Sequence, residues 1–256
     1  MNFYWQSFLR HAASQSTVGS IREFGGLEAA WANSTLVINN GTYLASAPSS
    51  EAELRNRIAS ACDDARPHGL PWALYLYEPY LTGVASEAIA SEFGLHRVMG
   101  LQVMTGDVRK LKPPLRLLPD VEFSRVTTRE DAWTVFDINL RSYGMPVSMA
   151  DSVLDTNAYY SNPQREIGFV ALADGVPVST TSVIELDGWL YVAMVATDPG
   201  HRRKGYAEAV MRQALEVSAA TMGTTRTALD ASVMGAPLYS QMGYQDTGAS
   251  WTMYAA

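Results

Sequence analysis

Three consecutive cations and a glycine, Arg202-Arg203-Lys204-Gly205, separate an apolar stretch ending at Thr197 from a run of helical periodicity that begins at Tyr206. The free backbone N–H groups and the dipole at the start of a helix attract anions, and neighbouring cations add to that field. Gly205 permits close approach of a ligand to the backbone, and the small Ala207 lets the helix start lie against it. The segment 195–207, strand, Pro199-Gly200 turn and helix start, can therefore supply a phosphate site, the plainer reading being a basic helix start. It is not a P-loop, because Tyr206 stands where that motif has Lys followed by Ser or Thr. Metal chemistry finds no footing: His11, His68, His96 and His201 are far apart, and none pairs with a Cys or an acid at ligand spacing. Cys62 is alone, lies in a helical segment, and reads as a structural thiol.

The elements that must hold this loop follow from periodicity. Residues 121–126 read as a strand, and Thr128 with Asp131 opens a helix carrying Ala132, Val135, Phe136, Asn139 and Leu140 at amphipathic spacing. Tyr143-Gly144-Met145-Pro146 breaks it, and 151–160 reads as a second helix. Strands at 167–173, 177–186 and 189–197, separated by Asp174-Gly175 and Asp187-Gly188, form consecutive antiparallel hairpins. The helix from 205 to about 220 has one apolar stripe, Ala207, Val210, Met211, Ala214 and Val217, with which to cover the sheet. A strand at 225–230, a short helix at 236–242 and a strand at 251–254 complete this half.

The first half alternates likewise: a helix at 3–13, strands at 17–23 and 35–39 with a turn at Asn39-Asn40-Gly41, a helix opened by Ser50 and Glu53, a strand at 72–77, a short helix at 87–93 and a strand at 97–105. Ser91-Glu92-Phe93-Gly94-Leu95 matches Ser240-Gln241-Met242-Gly243-Tyr244 at an offset of 149 residues, and the elements before both run in the same order, which points to a tandem duplication. The proline- and charge-rich stretch 109–120 is the linker. The fold class is α/β, a mixed sheet with helices on both faces in two tandem domains, 1–108 and 121–256.

Composition excludes other classes. The chain has 256 residues, 47% hydrophobic and 18% charged, which is globular, and a formal net charge of −7, which disfavours nucleic acid and modestly favours a cationic substrate. No apolar run approaches the roughly 18 residues that span a bilayer, and Met1-Asn2-Phe3-Tyr4-Trp5 does not resemble a secretory signal, so a cytoplasmic location is the expectation.

Arg202, Gly205 and Ala207 fill the signature Arg or Gln, two residues, Gly, one residue, Gly or Ala, and Leu238-Tyr239 followed by Tyr244 matches a second, carboxy-terminal motif. In these features residues 121–256 resemble the Gcn5-related N-acetyltransferase family. Including Tyr143-Gly144-Met145-Pro146 and Ala231-Ser232-Val233-Met234-Gly235, the whole chain is similar to tandem bacterial members whose first copy is degenerate. The resemblance implies two tandem acyl-CoA N-acyltransferase folds, with acetyl-CoA as cosubstrate and no metal, and direct transfer of acetyl to a primary amine on a small molecule or peptide.

It also implies roles. Backbone groups of Val195, Ala196 and Thr197 would pair with the pantetheine arm, and an N–H near Val195 would polarise the thioester carbonyl. Amides from Arg203 through Lys204, Gly205, Tyr206 and Ala207 to Glu208 would bind the pyrophosphate. Tyr239 would be the general acid, and Tyr143 would either line the acceptor pocket or only end its helix. Glu185 is the best-placed strand carboxylate for a general base, although beside the Asp187-Gly188 turn it also reads as a solvated residue; Asp230 and a relayed water are the other bases. Many relatives have an asparagine where this chain has Val233, so Ser232 would serve there instead. The first copy has Glu53-Leu54-Arg55-Asn56-Arg57-Ile58 in place of the loop, without glycine, and is expected to bind no acetyl-CoA and to support the second copy and wall its acceptor cleft. A CoA-binding sensor or scaffold without turnover is the alternative, and the oligomeric state, a homodimer included, is open.

Overall fold

The computed structural model describes residues 4–118 and 120–256; Phe3, expected in the first helix, and Pro119, expected in the linker, lie outside them. In chain order the elements are α1 (Tyr4–Gln15), β1 (Ser20–Phe24), β2 (Leu27–Trp31), β3 (Asn40–Leu44), α2 (Glu51–Ala65), β4 (Ala73–Tyr77), α3 (Ser86–Ser91), β5 (His96–Asp107), β6 (Val121–Arg125), α4 (Arg129–Ser142), α5 (Met149–Leu154), β7 (Glu166–Ala173), β8 (Val176–Leu186), β9 (Trp189–Thr197), α6 (Tyr206–Met222), β10 (Arg226–Ser232), α7 (Ala236–Met242) and β11 (Gln245–Ala255).

Contacts divide the chain into two compact units. One contains the residues up to Val103 with Asp230–Ala236 and Asp246–Ala256; the other contains Met104–Leu229 and Pro237–Gln245. The expected division, 1–108 and 121–256, thus differs from the compact units in one large respect: the last strand folds with the first half of the chain.

In the first unit β1, β2 and β3 form an antiparallel meander, β4 is parallel to β3, and β11 runs antiparallel to β4 with Trp251 opposite Tyr77 and Met253 opposite Tyr75. Leu27, Leu44, Leu54, Ile58 and Leu74 make its core with α2. β2 was not expected, because Leu27-Glu28-Ala29-Ala30-Trp31 has no alternation; all five residues are buried, and a strand paired on both sides and covered on both faces carries no period-2 signal. The turn expected at Asn39-Asn40-Gly41 is also absent, since Asn40 and Gly41 belong to β3. The Asn40 amide donates instead to the carbonyls of Ser34 and Pro71, each at 2.7 Å, and so ties β3 to neighbouring loops.

In the second unit β6, β7, β8 and β9 are successive antiparallel neighbours, and β10 is parallel to β9. Val178 to Ile184 of β8 are buried at every position, so both faces of this strand are covered. α4 and α6 are the helices packed on it. α4 opens with the expected capping box, Thr128 accepting from the Asp131 amide and Asp131 accepting from the Thr128 amide. α6 buries Val210, Met211, Ala214, Leu215 and Ser218 and ends at Gly223, whose φ of 69° and N–H to Ala219 O close the helix. The second helix expected at 151–160 is the shorter α5.

Candidate cofactor site

β9 supplies the first half of the site through two departures from a regular ladder. Its pairs with β10 are Leu190 with Thr227 and Tyr191 with Ala228, both near the strand starts, so the later residues of β9 run beyond the registered pairing. On the other side, its register with β8 shifts between Thr180 and Ser182: Ser182 faces Ala193 and Thr180 faces Ala196, which sets Met194 and Val195 against the single residue Thr181. This is a β-bulge, and Met194 adopts φ 52°, a left-handed conformation uncommon outside glycine. The Met194 carbonyl leaves the ladder and accepts from Thr180 Oγ1 at 2.8 Å and from Asn139 Nδ2 at 3.3 Å. Beyond the bulge, Ser179 Oγ donates to the Ala196 carbonyl at 2.7 Å and lies 2.9 Å from Thr197 Oγ1, anchoring these expected pantetheine-binding residues to β8.

The second half is the loop into α6. Asp198 organises its turn, accepting from Gly200 N–H at 2.9 Å and from Arg141, which also binds Asp137. Arg202 folds back, with Nη2 donating to Ser142 O at 2.7 Å, and so stiffens the loop. Arg203 and Gly205 have φ of 61° and 96°, whereas the exposed Arg203 and Lys204 side chains remain directed to solvent. The first intrahelical bond is Ala209 N–H to Gly205 O at 3.1 Å, which leaves the amides of Tyr206, Ala207 and Glu208 without a helical acceptor. Glu208 adds no free charge to the site, because its buried carboxylate is paired with Arg212 at 2.7 Å. Donors, dipole and cations make this an anion cradle that a pyrophosphate fits.

Residues 111–118 pack on the same unit. Lys112 N–H donates to Met242 O at 2.9 Å, Arg212 Nη2 to Lys112 O at 2.6 Å, and Arg116 and Leu118 come within van der Waals reach of Gly205.

The reactive candidates separate. Tyr239 is only 8% exposed, and its ring meets Tyr244 edge-on at 6.1 Å. Burial pushes its phenol pKa well up, and Tyr143 and Tyr244 add to the shift. Tyr143 caps the C-terminus of α4 and remains 54% exposed. Glu185 lies apart. It faces Leu190, at the end where β9 and β10 are still paired, and its carboxylate accepts from Arg165 Nε at 3.0 Å and from Gly188 N–H at 2.8 Å. This geometry makes it a brace for the β8–β9 turn and does not support it as the base. Ser232 Oγ accepts from Gly235 N–H at 3.2 Å and shapes the turn before α7, while Val233 is exposed. Sequence reading missed Thr180 and Asp198, and it took Asn139 only as a helix-face residue; the one available signal was an amide among the apolar positions of α4.

In the first unit the corresponding helix start holds an internal anion. Ser49 N–H donates to Glu53 Oε2 at 2.6 Å, and Arg57 binds Glu53 together with the carbonyls of Gly26 and Ser46. A cavity of about 550 Å³ in this unit, lined by Glu78, Arg97, Asp246, Trp251 and Tyr254 among others, contains none of the expected site residues. Among the described residues no group of three or more His, Cys, Asp or Glu is arranged to hold a metal, and no helix is long and apolar enough to cross a membrane.

Residues 132–244 match the family model described as Acetyltransferase (GNAT) family. No curated protein matches the chain by sequence. Among solved structures, a GCN5-related N-acetyltransferase from Kribbella flavida is similar with a TM-score of 0.73 at 18% identity, over 98% of this chain and 93% of that one. A GCN5-related N-acetyltransferase-like protein from Streptococcus suis has a TM-score of 0.57 at 16% identity, over 97% and 93%. A tandem GNAT protein from the clavulanic acid biosynthesis pathway has a TM-score of 0.58 at 14% identity, over 99% and 94%. At such identities the likeness is one of fold.

Proposed function

Residues 132–244 match the acetyltransferase (GNAT) family model, and from that likeness we propose that the chain transfers an acetyl group from acetyl-CoA to a primary amine. The observation that carries this is the pairing of the β9 bulge, past its last pair with β10, with the anion cradle at the start of α6. When bound, acetyl-CoA supplies an activated thioester. The amides of Arg203 to Glu208 hold its pyrophosphate, and Val195 to Thr197 pair with the pantetheine arm as an added strand would. Val195 N–H donates to the thioester oxygen as negative charge develops there. The amine nitrogen bonds to the carbonyl carbon, the C–S bond breaks, and the sulfur takes the Tyr239 proton. The proton lost by the amine leaves through water and restores the phenol. Burial disfavours the Tyr239 phenolate, so the residue is protonated at neutral pH but a weaker acid than a free phenol, and it gives up its proton only in concert with the departing sulfur and the water that restores it. Tyr143, at the end of α4, lines the acceptor side.

The first copy takes no acetyl-CoA in this proposal, because the Glu53 carboxylate already occupies its helix start and would repel a phosphate. The alternative, a CoA-binding sensor without turnover, shares the cradle and differs at the acid. Thiol release from acetyl-CoA is measured over a panel of primary amines: amine-dependent release is expected, with Tyr239→Phe lowering kcat about 10²-fold while acetyl-CoA affinity stays near wild type. Tight acetyl-CoA binding with no release for any amine favours the sensor.

A further inference from the structure

We propose that Asn139 and Thr180 are positioning residues that aim the Val195 N–H at the thioester, by clamping the carbonyl on the opposite side of the same peptide group. This rests on the acetyl-CoA site proposed above.

The clamp is a directed chain of buried hydrogen bonds. Asn139, on α4 and 9% exposed, has two Nδ2 protons for three acceptors, giving one to Val135 O at 2.8 Å and sharing the other between Thr180 Oγ1 at 3.0 Å and Met194 O at 3.3 Å. Thr180, fully buried on β8, has one hydroxyl proton and gives it to Met194 O at 2.8 Å. The Met194 carbonyl therefore accepts two donors, from a helix and from the neighbouring strand.

A trans peptide is planar, so its carbonyl and the following N–H point in opposite directions. With Met194 O drawn toward Thr180 on β8, the N–H of Val195 points away from β8, to the side of β9 that lies past the registered pairs with β10. An unclamped peptide at the bulge could rotate back toward the regular ladder, a change that the left-handed φ of Met194 would favour. Side chains on α4 and β8 that never touch the thioester thus fix the direction of the donor that does. The type of residue matters at both places: valine at 180 keeps the shape and removes the proton, and leucine at 139 keeps the bulk and removes both amide donors.

The test uses acetyl-CoA labelled with ¹³C at the thioester carbonyl, bound to the full chain, and reads the carbonyl stretch by difference infrared spectroscopy, which needs no acceptor. Wild type is expected to show the stretch shifted to lower frequency than in water. In Thr180→Val and Asn139→Leu the shift is expected to be largely lost while the acetyl-CoA Kd stays within about threefold, and Thr180→Ser, which restores the hydroxyl, is expected to recover it. With an accepted amine, kcat is expected to fall about 10- to 100-fold in Thr180→Val at nearly constant KM for acetyl-CoA. A wild-type stretch equal to that in water overturns the proposal even where the variants do not fold. Variants that bind and keep the wild-type shift also overturn it. No binding of acetyl-CoA by wild type defeats the underlying site instead, and the clamp with it.

Discussion

Glu28 is a carboxyl that the first unit keeps out of water, 1% exposed on β2 between β1 and β3, with Tyr43 OH and Arg10 as donors. Burial raises its pKa from 4.5 to about 7; Arg10 opposes this, and Glu23, directly across the β1–β2 pair, adds to it. The folded state therefore holds this proton more tightly than the unfolded chain. The stabilisation is complete below about pH 4.5 and is lost as pH rises through about 7. Glu53 is shifted down and adds no slope in that window, whereas burial lowers the His68 pKa, so His68 adds a slope of the opposite sign there. The Glu28 contribution alone is expected to fall by roughly 1–3 kcal/mol between pH 5 and 8, read as the difference between wild type and Glu28→Gln. Denaturation followed by tryptophan fluorescence measures this, since Trp5, Trp31, Trp72 and Trp251 all belong to that unit; an unchanged slope in the variant would sink it. Legibility at this scale was uneven. The cradle residues could be named because loop chemistry is local. Glu185 was the best strand carboxylate in the sequence, yet the register that sets it beside Leu190 and the Arg165 that engages it are tertiary facts.

At the scale of elements, α6 and the loop before it depend on one unusual backbone conformation. Gly205 has φ 96°, and a Cβ there would meet Leu118 and Arg116 at 3.6–3.9 Å, so space is adequate and the backbone is the obstacle. Gly205→Ala is expected to cost about 1–2 kcal/mol and to weaken acetyl-CoA binding at least tenfold, because relieving the strain turns the first amides of α6 away from the phosphates. Calorimetric titration with acetyl-CoA together with thermal denaturation checks both; wild-type affinity in this variant would remove the loop from the site. The 3.6-residue stripe of α6, the cap at Thr128 and the hairpins at Asp174-Gly175 and Asp187-Gly188 were all legible, since each is written within a dozen residues. The bulge at Met194 was not. It has no glycine to announce it, and what stabilises it, Asn139 and Thr180, lies 55 and 14 residues away.

For the whole molecule, the chain divides into two compact units, and the last strand folds with the first of them. Trp251, Met253 and Tyr254, each 1% exposed, are buried there, and the Trp251 ring lies 4.9 Å from that of Tyr77. Trp251→Ala is expected to cost about 3–5 kcal/mol. Hydrogen exchange should place the loss in β1 to β4 and spare β6 to β9, although residue 251 follows the acetyltransferase region in sequence; exchange rising mainly in β6 to β9 would contradict the partition. Sequence composition marks where a chain changes character, as at 109–120, but a strand that pairs with a partner 174 residues away leaves no local trace.

The central claim is one acetyl-CoA site, in the second copy, made from the β9 bulge and the start of α6. Amide hydrogen exchange of the intact chain with and without saturating acetyl-CoA tests it most directly. Protection is expected at 194–198 and 203–209, with no change at 46–58, where Glu53 and Arg57 fill the corresponding place. Protection at 46–58, or an unchanged pattern at 203–209 with acetyl-CoA bound, would contradict it.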